Sequence, residues 1–150
     1  MFNKTNRNHK TTEIMESLFI NYDQALALKE LHFDEPCLAI FTNRYTNGET
    51  YPKAVGQHEG SNISGDKNSD FDGQSFWYVT APTFSQAFKF FRDKYRLDGK
   101  PEYFLNDWYC FIINDMEGKD TSRRLFTEFT SYEEAELQCL KKLIEIAKEK

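Results

Sequence analysis

The sequence is poor in the residues that most often build a recognisable metal or redox site. Its 150 residues include three cysteines and three histidines, and no two cysteines have the CxxC spacing. Cys37, Cys110 and Cys139 are odd in number, and each falls inside a predicted strand or helix, so we expect buried, reduced thiols. No histidine lies near a cysteine at metal-ligand spacing. The sequence therefore predicts no metal site and no cofactor.

Long apolar runs are also missing. No run approaches the roughly 18–20 residues that a membrane helix needs, and residues 1–10 are polar and basic without a following apolar segment. A secretory signal would require that segment. We therefore expect a cytoplasmic protein, in a bacterium or in an infected host cell, with no membrane partner.

Familiar catalytic motifs are absent as well. The sequence has no GxSxG, HExxH or GxxxxGK[ST] motif, so no catalytic residue can be named. The string NSDFDG at 68–73 resembles the start of a calcium loop, but Val79 occupies the twelfth position, where a bidentate Glu should stand. An enzyme with an unrecognised site near the Gly-rich segment 43–75 is only the third hypothesis.

Aromatic and charged residues are abundant. The chain has 14 Phe, 8 Tyr and 2 Trp, and 29% of its residues are charged, with a formal net charge of −5. Its length suits about one domain. The composition predicts a core rich in aromatic rings beneath a soluble surface.

Three segments begin with the residues that start helices. Asn21, Thr83 and Ser131 are each followed three positions later by Gln or Glu, the spacing of a capping box. Apolar residues then recur at helical intervals. We predict helices at about 21–32, 83–96 and 131–148.

Apolar runs at 37–42, 76–80, 108–113 and 124–129, with a shorter one at 103–105, predict strands. In the run 124–129, alternation places Leu125 and Phe129 inward and Glu128 outward. Residues 97–101 (LDGKP) predict a turn that ends the second helix. The order of elements predicts an α+β fold, a single two-layer domain over 1–150 with one mostly antiparallel sheet of about four to five strands.

Two segments are expected to lie outside that core. Residues 1–10 predict a flexible tail. Residues 43–75 contain five of the seven glycines and predict a long mobile loop, with a hairpin around Asn47-Gly48 as an option.

Several segments together carry a family resemblance. They are YDQA at 22–25, FDEPC at 33–37, APTFSQAF at 81–88, FRDKY at 91–95, YEEAEL at 132–137 and CLKKLI at 139–144. The chain resembles small proteins common in gut-bacterial phage and prophage genomes, over most of its length except the tail and the Gly-rich loop. That family has no assigned activity. The resemblance implies a small accessory protein in the cytoplasm of a host bacterium, and it implies no catalytic residue.

A basic surface is the candidate binding site. Its members are Lys89, Phe90, Arg92, Arg96, Arg123 and Arg124. Basic residues beside exposed aromatics can contact phosphates and stack on bases. The order helix, strands, helix from residue 83 onward also resembles double-stranded-RNA-binding domains, and 108–147 resembles the DNA-binding modules of integrases. The net charge of −5 argues against nucleic acid, so this is the second hypothesis.

The leading hypothesis is a non-enzymatic accessory protein that binds a host macromolecule, with a host protein as the first candidate. Leu137 and Ile144 widen the apolar face of the last helix. Such a face favours a homodimer or a docking site.

Overall fold

The computed structural model describes residues 17–42, 54–56, 78–117 and 122–150, with the backbone alone described at 42, 54–56, 78 and 122–124. The chain divides into two compact units. The described residues of the first unit fall within Met1–Lys29 and Asp34–Thr83, and those of the second within Glu30–Phe33 and Phe84–Lys150.

The first unit contains most of helix α1 (Tyr22–Glu30) and a small sheet. Strands β1 (Ala39–Thr42), β2 (Ala54–Gly56) and β3 (Tyr78–Ala81) pair antiparallel in the order β2-β1-β3. The predicted capping box at the start of α1 is present: Gln24 N donates to Asn21 Oδ1 at 2.9 Å, and Asn21 N donates to Gln24 Oε1 at 3.2 Å. These bonds satisfy amide groups that the first turn leaves without helical partners.

The second unit places a helix on a three-stranded sheet. Its elements are α2 (Phe84–Tyr95), β4 (Leu97–Tyr103), β5 (Tyr109–Asp115), β6 (Ser122–Phe129) and α3 (Tyr132–Glu149). The strands pair antiparallel in the order β4-β5-β6. Helix α3 packs on β4 and β5 and buries Cys139, Leu140 and Leu143. Ser131 caps it as predicted, since Glu134 N donates to Ser131 Oγ at 3.1 Å.

The α+β class, the three helices and the antiparallel pairing are confirmed. The expectation of one sheet with four to five strands is wrong, because the described strands form two separate sheets of three. The single domain over 1–150 stays a prediction. Within the described residues, no helix is both long and apolar enough to cross a membrane.

The turn predicted at 97–101 is also wrong, because strand β4 runs through it. Gly99 lies under α3, where a Cβ would come within 2.7 Å of Leu143 Cδ1 and 2.8 Å of Cys139 Sγ. Its lack of a side chain therefore lets the helix approach the sheet. Pro101 is tolerated because β4 is an edge strand of this sheet, where a missing N–H donor costs little.

Most of the predicted loop at 43–75, its hairpin around Asn47-Gly48 and the tail at 1–10 lie outside the described residues. Strand β2 falls inside that loop and pairs with β1. The loop prediction is therefore wrong at residues 54–56.

Candidate functional site

Two of the predicted basic residues face carboxylates. Lys89 Nζ lies 2.7 Å from Asp93 Oδ2, and this hydrogen bond lowers the pKa of Asp93 below its ordinary value. Arg92 Nη1 lies 3.9 Å from Asp98 Oδ1. Their charges are thus partly balanced within the unit, which weakens a phosphate-binding role.

Phe90 is not the exposed aromatic that the sequence predicted. Its side chain is buried, and its ring meets the rings of Phe33 and Tyr95 edge-on at 5.2 and 5.7 Å. Lys94 Nζ lies 5.3 Å from the centroid of the same ring. The apolar face of α2 is wider than the predicted stripe, so Phe90 belongs to the core and cannot stack on a base.

The remaining basic residues do not complete a site. Arg96 directly follows α2 and has a φ of 56°, and its carbonyl accepts a hydrogen bond from Met116 N at 2.8 Å. Arg123 and Arg124 lie in β6 opposite Asn114 and Ile113, and their side chains lie outside the described atoms. The described part of the predicted set therefore forms no joint surface of cations and exposed rings.

The cysteines are buried free thiols, as expected. Burial raises the pKa of Cys37 to about 11 and that of Cys139 to about 12. A thiol with such a pKa is almost entirely protonated at neutral pH and is a poor nucleophile. Across the described residues, no group of three or more His, Cys, Asp or Glu is placed to hold a metal ion.

A different site lies at the tip of the β4–β5 hairpin. Asn106 and Asp107 have φ values of 50° and 65°, and two positive φ angles in succession are typical of a type I′ turn. Trp108 N donates to Leu105 O at 3.0 Å, and Phe104 N donates to Trp108 O at 2.8 Å. Asp107 N also donates to Tyr103 Oη at 3.2 Å. This network fixes the backbone that carries Phe104, Leu105 and Trp108.

A β-bulge in β6 lies beside this turn. Tyr109 pairs with Phe129 and Phe111 pairs with Phe126, so β6 has one residue more than β5 between the two pairs. The extra residue places Thr127 and Glu128 opposite Cys110. Glu128 has a φ of 81°, a backbone region that a residue with a Cβ seldom occupies. Bulges of this kind redirect side chains and are frequent beside functional sites.

The turn and the bulge together line a cavity that is open to solvent. Its volume is about 480 Å³, within the range of about 300–1,000 Å³ typical of ligand sites. We call its lining the hairpin surface. The lining residues are Phe104, Leu105, Asn106, Trp108, Thr127 and Glu128.

Large apolar side chains of the hairpin surface are exposed to solvent. Leu105 is 60% exposed, Trp108 44% and Phe104 42%. Tyr103, which precedes them, is 59% exposed, and Leu125 of β6 is 53% exposed. Isolated exposed apolar residues are ordinary, but several around one cavity indicate an interaction site.

Sequence reasoning missed this site because it predicted 103–105 as a short strand and searched for cations. One signal was present: Asn106-Asp107 stands between two apolar segments, and both residue types tolerate positive φ. The bulge has no comparable signal, since Glu is not a residue that favours its conformation.

The apolar face of α3 is less exposed to solvent at Leu137 and Ile144 than a docking site would require. Ile144 is only 8% exposed, and Leu137 is half-buried. These two residues are therefore largely covered, and the homodimer through this face stays a prediction.

Searches of known protein families, of curated proteins and of solved structures find no match to this chain.

Proposed function

We propose that this chain is a non-enzymatic binding protein that holds a segment of another protein against the hairpin surface. The observation that carries the proposal is the cluster of exposed aromatic and aliphatic side chains around one cavity, on a backbone fixed by the turn and the bulge. Under this proposal, no described residue has a catalytic role.

The residue types favour a protein as the occupant. Trp and Tyr are the residues that most often dominate binding energy at protein interfaces, where they fill or border pockets at the centre of the contact. Trp108 lines the cavity. Tyr103 directly precedes Phe104, another lining residue, and packs edge-on against Tyr109, with ring centroids 5.8 Å apart. Leu105, the first residue of the turn, supplies apolar area that a partner would remove from water.

The charges favour a basic segment over nucleic acid. Among the residues that line the cavity, Glu128 is the charged one, and the acidic Asp107 lies between the lining residues Asn106 and Trp108 in sequence. Phosphates would be repelled by these carboxylates and by the net charge of −5. A segment that carries Lys or Arg beside an apolar residue matches both the charge and the apolar lining.

The resemblance to phage and prophage proteins supplies the setting of the proposal. In that setting the chain is an accessory protein, and its partner is a protein of the bacterial host. This part rests on the quoted sequence segments alone.

A displayed library of random peptides, selected on the purified full chain, tests the proposal. Each selected peptide is then titrated against wild type, Leu105→Ser, Trp108→Ala and Leu38→Ser. Leu38 is the matched control, because it is 63% exposed, close to the 60% of Leu105, but belongs to the first unit.

We expect selected peptides to carry Lys or Arg and to bind wild type and Leu38→Ser alike. Affinity should fall about tenfold or more for Trp108→Ala and for Leu105→Ser, in line with central interface residues. Equal binding to all four proteins, a failure to enrich any peptide, or enrichment of acidic peptides would overturn the proposal. A parallel gel-shift with RNA and DNA decides the nucleic-acid hypothesis: retention at low salt that is lost at high salt would replace a protein partner with nucleic acid.

A further inference from the structure

The cavity of the hairpin surface combines an aromatic wall with a carboxylate. Phe104 and Trp108 line it from the β4–β5 hairpin, and Glu128 lines it from the bulge in β6. An aromatic face and a carboxylate both attract a cation, the first through the ring quadrupole and the second through its charge.

The backbone holds these groups in place before any ligand arrives. Phe104 and Trp108 are joined by the hydrogen bond from Phe104 N to Trp108 O at 2.8 Å. Glu128 is held opposite Cys110 because the pairs on either side of it, Tyr109–Phe129 and Phe111–Phe126, fix the strand register. A site built on a hydrogen-bonded turn and a paired strand loses little backbone freedom on binding.

The strained conformation of Glu128 supports a role for its side chain. A glycine would adopt a φ of 81° without steric cost, so the fold alone does not require Glu at this position. The carboxylate of Glu128 supplies the charge of the cavity lining, and a glycine at this position would lack that charge. The charge therefore gives a reason for Glu at a strained position.

We infer that the cavity takes an arginine side chain of the bound protein, with the guanidinium stacked on Trp108 and paired with Glu128. This inference rests on the proposed function and names the side chain that the site recognises. Arginine fits better than lysine because its planar, weakly hydrated guanidinium stacks on aromatic faces and bonds a carboxylate through two N–H groups. An ammonium group is more strongly hydrated and would be more costly to desolvate in this cavity.

Titration with the tripeptide acetyl-Gly-Arg-Gly-amide, followed by NMR of the Trp108 indole N–H, tests the inference. The Trp77→Phe variant assigns the indole signal, since the sequence has two tryptophans. Two further tripeptides carry lysine or citrulline in place of arginine. Citrulline keeps the shape of arginine and lacks its charge.

We expect the Trp108 signal to shift with affinity in the order arginine, lysine, citrulline. Glu128→Gln should weaken arginine binding roughly fivefold, the upper end for a partly exposed ion pair, and leave citrulline binding unchanged. Gln has the same size as Glu and also carries a Cβ, so it must adopt the same backbone conformation at this position. The variant therefore removes the charge alone. Addition of salt should weaken arginine binding to wild type more than to Glu128→Gln.

Equal affinity for arginine and citrulline, or equal binding of arginine by wild type and Glu128→Gln, would overturn the inference. A tripeptide that leaves the Trp108 signal unchanged while library-selected peptides shift it would also overturn it, and the proposed function would stand. If the selected peptides also leave the Trp108 signal unchanged, both the inference and the proposed function are wrong.

Discussion

Phe126 and Phe129 lie three residues apart in β6, yet both stack on the same ring of β5. The centroid of Phe111 is 4.5 Å from that of Phe126 and 5.3 Å from that of Phe129, with interplanar angles of 18° and 26°. In a regular strand an odd separation places two side chains on opposite faces. The bulge at Thr127 and Glu128 adds the residue that brings both rings to one side.

This stacking makes Phe111 a central residue of the second unit. Phe111 is 2% exposed, and its truncation would remove the contacts with both rings and leave a cavity. We expect Phe111→Ala to lower the free energy of unfolding by about 3–5 kcal/mol, measured by urea denaturation. Leu125→Ala is the control: the sequence predicts an inward Leu125, but its side chain is 53% exposed, so it should cost less than about 0.5 kcal/mol. A cost for Leu125→Ala comparable to that for Phe111→Ala would contradict the bulged register.

The sequence predicts correctly the features that depend on residues close together in the chain. It fails for the features that depend on contacts between distant residues. The capping box of Asn21 with Gln24 and the cap that Ser131 provides for Glu134 N are confirmed, because both join residues three positions apart. The carboxylate of Glu134 accepts from Thr130, one residue before the expected partner. Leu125 was assigned to the wrong face, because a bulge depends on pairing with another strand. Gly99 was assigned to a turn, because its role depends on Leu143 of a helix that is distant in sequence.

The same distinction applies to the candidate site. Phe90 was expected at the surface because it falls outside a narrow helical stripe, but Phe33, far away in sequence, packs against it. The hairpin surface joins Trp108 and Glu128 through strand pairing. A motif search along one segment cannot bring these two residues together.

The conformation of Glu128 gives a second prediction. A residue with a Cβ in the left-handed region costs roughly 1–2 kcal/mol, and glycine loses part of that gain through its larger entropy when unfolded. We expect Glu128→Gly to raise the free energy of unfolding by up to about 1 kcal/mol and to weaken binding of arginine peptides. Glu128→Gln separates the two effects, since it should leave stability near the wild-type value. A destabilising Glu128→Gly would show that the bulge does not strain this residue.

The contact between Gly99 and α3 gives a third prediction. A Cβ at position 99 would stand 2.7 Å from Leu143 Cδ1 and 3.2 Å from Leu143 Cγ. We expect Gly99→Ala to cost about 1–3 kcal/mol through overpacking, measured by thermal and urea unfolding.

A double-mutant cycle with Leu143→Ala shows whether the cost comes from this contact. That background removes the contact with Leu143 and leaves the one with Cys139 Sγ at 2.8 Å, so Gly99→Ala should cost about 1 kcal/mol less than in wild type and still destabilise the protein. An unchanged cost would show that Leu143 is not its source and would assign it to Cys139 or to the backbone of β4.

The start of α3 gives a fourth prediction, which concerns pH. Glu134 accepts hydrogen bonds from Thr130 N at 3.0 Å and from Thr130 Oγ1 at 2.8 Å, and these bonds lower the pKa of Glu134 below its ordinary value of 4.5. A carboxyl group with a lowered pKa in the folded state stabilises the protein above its ordinary pKa. That stabilisation is lost as the pH falls through the folded pKa.

We therefore expect wild type to be more stable than Glu134→Gln at pH 7, and the difference to shrink as the pH falls below 4.5. Glu133→Gln is the matched control, because Glu133 also lies in the first turn and feels the same helix dipole. Its difference from wild type should depend less on pH if the bonds to Thr130 cause the effect. Ser131→Ala removes the acceptor for Glu134 N and should cost about 1 kcal/mol at every pH. Equal pH profiles for Glu134→Gln and Glu133→Gln would assign the effect to the helix dipole instead of the bonds from Thr130.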